Sequence, residues 1–274
     1  MMSAKQLQGE TGWRFKAISV EEVVRDVESL RLVQASSASS FQDQIDHANY
    51  VREHVLSIYH HAIGGVFDDF SRTASLALAK HKTLDENTIV ALFLILGDDF
   101  DDSFAAAMRQ AGSRAYFYAE QAMGKLNWGD LKERADEFSK MRSSALSNSP
   151  EIVLQKAQDS ILRGLAGKES PLAVKRRLDE AMHEAKDVEG ELVSQTETTI
   201  TMGTAIDSVM SAAGFTSKRW VSQRDDRVRD SHEQCDKQGW IPISQKFTNG
   251  LKYPGQSDAP LSEIANCRCV LIGK

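Results

Sequence analysis

Proline placement constrains this chain more than any other feature. All five prolines lie at or after position 150, and residues 17–147 contain neither proline nor cysteine. Proline removes an intrahelical N–H and clashes with the preceding turn, so a long stretch without it is free to run as uninterrupted helix. Apolar residues in this stretch recur at helical spacing. Val51, Val55, Ile58, Ala62, Val66 and Phe70 form one stripe, and Ile89, Leu92, Phe93, Leu96, Phe100, Phe104, Ala107, Met108 and Ala111 form a second. The two stripes read as long helices packed on each other.

Start signals divide the rest. Ser19 with Glu22 and Thr83 with Glu86 have capping-box spacing. Ser149-Pro150 and Ser170-Pro171 each set a cap before a proline at the first helical position. Helices are expected near 19–35, 41–81, 84–125, 128–146, 150–165, 171–187 and 189–213, with a kink at Gly64-Gly65 and a flexible joint at the Ser-rich residues 35–40.

After Gly214 the pattern changes. "KRWVSQ" is β-compatible, "GWIPIS" suits an edge strand because of its proline, and "CRCVLIG" is a short strand-like run. Asn249-Gly250, Pro254-Gly255, Asp258 and Pro260 supply turns. The expected fold is α+β, predominantly α: a helical body over residues 1–189 and a small loop-rich α+β module over 190–274. The stretch of loop and short strand after Gly214 is a marginal core by itself, and domains this small often need a metal, a disulfide or a partner to be stable.

Composition narrows the function classes. A net charge of −6 and a pI near 5.7 argue against a chain whose main role is wrapping nucleic acid. The most apolar run, Ile89–Leu96, is closed by "GDDFDD" and falls well short of the ~20 residues of a spanning helix, so no membrane span is expected. The start "MMSAKQLQGETGWRF" has no apolar signal core, which points to a reducing cytosol. Three cysteines, an odd number, fit poorly with a secreted disulfide framework.

All three cysteines fall in the last 40 residues, beside His232. His232 and Cys235 are two residues apart in the gap between them, and Cys267 and Cys269 one apart. Together they offer the four N/S ligands of a closed structural zinc site. Cys267 and Cys269 would point the same way if "NCRCV" were extended. The same inventory also reads as buried thiols beside a histidine that caps a loop.

The charged cluster Arg224, Asp225, Asp226, Arg227, Arg229 and Asp230 allows two readings. In one, Asp225 and His232 are the acid and base of a metal-dependent nuclease. In the other, favoured here, Asp225 and Arg227 fix a solvated turn by local bonds, and the chain is not an enzyme. His60-His61 with Asp68-Asp69, and Asp98-Asp99-Phe100-Asp101-Asp102, read as polar helix faces rather than metal sites. Lys175-Arg176-Arg177 reads as an exposed face, with a weak DNA contact as the alternative. There is no Gly-rich phosphate loop and no GxSxG element.

One ordered set of residues carries a resemblance. Trp220, Asp225 and Arg227, His232, Gly239, Phe247, Asn249-Gly250, Pro254-Gly255 and Asn266-Cys267-Arg268-Cys269 follow a helix bearing Thr196-Glu197. Over about residues 190–272 this resembles the phage Mu F-like minor head, or head morphogenesis, protein family. The segment from His232 to Gly239 is longer than is usual there, and Cys235 stands where an apolar residue is common. The resemblance implies a structural protein present in a few copies per phage head. It would be bound to the portal protein and act in head assembly and in DNA packaging or ejection; the resemblance implies no established catalytic activity. The helical body would dock onto the portal and onto coat or scaffolding protein. The protein would reside in the virion, at the head or portal vertex, and in the host cytoplasm during assembly. Trp220 and Phe247 would anchor the small module, the Asn249-Gly250 turn would join its strands, and His232 with the cysteines would staple it.

Overall fold

The computed structural model of the protein describes residues 40–80, 100, 102–116, 119, 128–145 and 149–274. The expected helix at 19–35, the caps at Ser19 and Thr83, and the Ile89–Leu96 run lie outside them. Helix makes up 71% of the described residues and their sheet has three strands, so the chain is α+β and predominantly α.

The elements are α1 (Phe41–Lys80), α2 (Trp128–Ala145), α3 (Ser149–Ala166), α4 (Pro171–Ala185), a π-helical turn (Lys186–Gly190) and α5 (Glu191–Ala213). They continue with β1 (Ser217–Val221), α6 (Asp230–Lys237), β2 (Ile241–Pro242), α7 (Leu261–Ile264) and β3 (Val270–Gly273). Residues 102–116 are also helical. Among the described residues, no helix is long and apolar enough to cross a membrane.

The chain divides into two compact units. The described residues of the first are 61–80, 100, 102–109, 140–145 and 149–191; those of the second are 40–60, 110–116, 119, 128–139 and 192–274.

In the first unit the two apolar stripes meet as their spacing predicts. Phe100 is buried edge-on against Phe67 and Phe70, with ring centroids 5.7 and 5.0 Å away. Val153, Ala157 and Ile161 of α3 and Val174, Leu178 and Met182 of α4 are buried at helical spacing, and the two helices pack on each other. Ser170 caps α4, its hydroxyl accepting the Ala173 N–H at 3.3 Å. α1 runs through Gly64-Gly65 as continuous helix, and the Lys186 side chain lies over Gly64 to reach Asp68 at 2.8 Å. The expected break near residue 188 is instead the π-helical turn, which carries the chain without interruption into α5.

The second unit contains the sheet. β1 lies centrally, antiparallel to β2 and β3, with Lys218 opposite Ile241 and Trp220 opposite Leu271. Val221, Val270 and Ile272 share an apolar cluster with Ile45 and Ala48 from the start of α1. The core around the sheet therefore draws on residues far upstream.

Two local expectations are corrected. Only Val270–Gly273 of the "CRCVLIG" run is strand, because Asn266 adopts a left-handed backbone and the Cys267 carbonyl is taken by side chains of α5. The Asn249-Gly250 turn closes on itself, with the Phe247 N–H donating to the Leu251 carbonyl at 2.8 Å. It lies in the connection from β2 to α7 and does not join two strands of the sheet.

Candidate metal centre

α5 enters the second unit as a polar helix buried on most sides: Ser194, Gln195, Thr196, Glu197, Thr198, Thr199 and Thr201 are all buried. Buried hydroxyls need partners, and Thr196, Thr198 and Thr199 find them by bonding back one turn. Thr196 Oγ1 donates to the Leu192 carbonyl and Thr198 Oγ1 to that of Ser194, both at 2.7 Å.

The same face holds the loop ahead of β3. Gln195 Nε2 donates to the Cys267 carbonyl at 3.3 Å, Thr199 Oγ1 donates to the same oxygen, and Thr196 Oγ1 accepts the Asn266 N–H at 2.9 Å. From the other side, Arg229 donates to the Ala265 carbonyl at 2.5 Å. Arg268 forms a fork of two 2.7 Å bonds to Asp225. The loop is thus fixed on either side of each cysteine.

α6 delivers His232 to this loop. Its ring is buried and meets Trp220 at a steep angle, with centroids 4.9 Å apart, and Trp220 rests on Phe247 at 5.3 Å. Nδ1 lies 3.6 Å from Cys267 Sγ and 3.5 Å from Cys269 Sγ, and Nε2 lies 3.2 Å from Glu263 Oε2. The ligand atoms of His232, Cys267 and Cys269 all fall within 4.8 Å of one another, so this buried cluster can hold a metal ion. Such a cluster fits a thiophilic divalent ion such as zinc.

The hydrogen bond from Cys269, with help from His232, holds the Cys267 thiol well below its ordinary range despite burial; the same hydrogen bond, together with burial, holds Cys269 well above it. All three cysteines are free thiols.

The other expected site residues find separate roles. Cys235 is buried with Sγ 3.5 Å from Thr248 Oγ1; it is not in the three-residue cluster, and burial pushes its thiol up. Asp225 bonds to Arg268 and to the Arg227 N–H, while His232 bonds to Glu263 and the thiols, so Asp225 and His232 each bond elsewhere. The Arg268 fork holds the Asp225 carboxyl below its usual range. Gly239 ends α6 with φ of 69°, where a glycine is favoured. Asn249 donates to Glu263 Oε2 at 3.1 Å. Pro254-Gly255 packs against α5 so closely that a Cβ on Gly203 would sit 2.0 Å from the Pro254 carbonyl oxygen.

Outside the module, His60 and His61 are exposed, Asp68 pairs with Lys186, and Asp69 pairs with Arg72. Phe100 is buried as expected, while Asp98, Asp99 and Asp101 lie outside the described residues. Lys175 and Arg176 are exposed, and Arg177 is tied to Glu169 at 2.7 Å.

Sequence reasoning missed Glu263, Gln195, Thr199 and Arg52. Only Gln195 and Thr199 carried a local signal, since they flank Thr196-Glu197 in an unusually hydroxyl-rich helix. No family model, curated protein or solved structure matches this chain.

Proposed function

We propose that this chain is a structural minor head protein of a tailed double-stranded DNA phage, bound to the portal and acting in head assembly and in DNA packaging or ejection. One observation carries the reading: the residues behind the resemblance are each other's packing and hydrogen-bonding partners. Trp220 contacts both His232 and Phe247, Arg268 clamps Asp225, and Asn249 and His232 share Glu263. In the charged loop Asp225 is taken up by ion pairs with Arg268 and Arg227, an arrangement suited to a rigid docking module rather than to acid–base chemistry. In such a module the cluster of His232, Cys267 and Cys269 is a structural staple.

The test is co-expression of the full chain with the portal protein encoded beside it, followed by size-exclusion chromatography. Stoichiometric comigration with an assembled portal is expected. A chain that runs alone beside an intact portal overturns the portal association, and metal-dependent DNA cleavage by the wild-type protein would overturn the structural assignment.

A further inference from the structure

We infer that His232 Nδ1, Cys267 Sγ and Cys269 Sγ bind one zinc ion, and that Glu263 is the residue that orients the imidazole toward it. The inference does not depend on the proposed role in a phage head.

Spacing is the first argument. Zinc–sulfur bonds of about 2.3 Å and zinc–nitrogen bonds of about 2.0–2.1 Å at a tetrahedral angle put N and S roughly 3.6 Å apart. The observed separations are 3.6 and 3.5 Å. A thiol hydrogen bond accounts for the geometry less well. Nδ1 has a single lone pair and accepts one S–H, yet two sulfurs stand at almost equal distance from it. A metal ion placed between the three atoms satisfies both sulfurs at once.

The surroundings are the second argument. Glu263 Oε2 accepts from Nε2, which fixes the tautomer whose Nδ1 lone pair faces the thiols; this is the carboxylate–histidine arrangement that supports metal-bound imidazoles. Ser231 Oγ and Asn249 Nδ2 donate to Glu263 at 3.2 and 3.1 Å and hold the carboxylate in place. The fully buried Trp220 has an indole N–H without a hydrogen-bond partner. Arg52 is buried with Nε and Nη2 unpartnered and interacts electrostatically with Cys267 and Cys269.

The donor set selects the ion. Two sulfurs and one imidazole suit zinc and disfavour magnesium or calcium, which take oxygen ligands. Three protein ligands leave one coordination position for a group outside the set. Cys235 is held at Thr248 and is not among the three.

The full-length chain, expressed in zinc-supplemented medium and purified with reductant and without chelator, should carry stoichiometric zinc by elemental analysis. Cobalt titrated into the metal-free protein should give a thiolate charge-transfer band together with the strong visible bands of a tetrahedral ion. Cys267→Ser, Cys269→Ser and His232→Gln should each reduce zinc to traces, and Cys235→Ser should retain it. The cobalt spectrum of wild-type protein keeps the test decisive where a variant fails to fold. Only trace zinc in wild-type protein with reduced thiols, or a cobalt spectrum without a thiolate band, would overturn the site. Loss of zinc from Cys235→Ser would overturn the three-residue assignment.

Discussion

Glu263 Oε2 lies 3.2 Å from His232 Nε2, on the side of the imidazole away from Cys267 and Cys269. A carboxylate in that position sets which nitrogen faces the thiols. Glu263→Ala should therefore weaken zinc binding by roughly 10- to 100-fold. Glu263→Gln, which keeps an acceptor but loses the charge, should fall between the variant and wild type. Competition with a chromogenic chelator measures both. Wild-type affinity in Glu263→Ala would show that the carboxylate only fills space.

Close packing of a turn on α5 leads to a second prediction. A Cβ on Gly203 would come within 2.0 Å of the Pro254 carbonyl oxygen, and one on Gly255 within 2.6 Å of the Thr199 backbone. Gly255 also has φ of 73°, a conformation that adds strain for alanine. Gly203→Ala should cost at least the roughly 1–3 kcal/mol typical of overpacking. Gly255→Ala should cost more, since it adds backbone strain to the clash. Urea denaturation of the two variants tests the order, and equal or negligible losses would mean that the turn can move away from α5.

These contacts show what the sequence could reveal. The helices were legible because Phe100, Phe104 and Met108 repeat at helical spacing and Ser170-Pro171 marks a start. The cluster of His232, Cys267 and Cys269 was legible only as part of a four-residue inventory with Cys235, since few other residue types supply soft donors. An extended strand would make the two cysteines converge, whereas the structure brings them together in an irregular loop pinned by Gln195 and Thr199. Such pinning depends on contacts across some 70 positions of sequence, which periodicity cannot report. Glu263 was invisible for the same reason: in "PLSEI" nothing local distinguishes a carboxylate that orients a histidine from one in water. Arg52 sits on an amphipathic helix at a position that composition alone would assign to solvent, yet it is buried.

The fork between Arg268 and Asp225 gives a third prediction. Its two 2.7 Å bonds tie the residue between the cysteines to the loop after β1. Lysine cannot reproduce a planar fork, so Arg268→Lys should lower the urea midpoint in the same direction as Asp225→Asn. The double variant should lose less than the sum of the singles, because the two side chains act on one another. Strict additivity would show the pair to be energetically idle. Neither variant should create or abolish DNA cleavage if the carboxylate serves the loop.

Asp236 carries the pH prediction. Burial pushes its carboxyl up, but hydrogen bonds from the Arg224 side chain and from the Ser222 hydroxyl and N–H outweigh it, leaving it below its usual range. Arg224 approaches at 2.9 and 3.2 Å, Ser222 Oγ at 3.0 Å and Ser222 N at 3.3 Å, and Arg219 faces the other carboxylate oxygen at 3.6 Å. A folded-state pKa below the unfolded value means that the unfolded chain binds the proton more readily. The resulting stability is present above the unfolded pKa of about 4 and is lost as pH falls through the depressed folded value. Asp236→Asn should therefore cost about 1.5–3 kcal/mol at neutral pH, the range for hydrogen bonds to a charged group. The gap between variant and wild type should narrow once the pH drops below about 4, as the wild-type carboxyl protonates. Urea titrations across that interval decide the matter. A gap that stays constant with pH would assign the loss to packing, and a gap that widens in acid would reverse the sign and remove Asp236 from the set of charges that hold the loop.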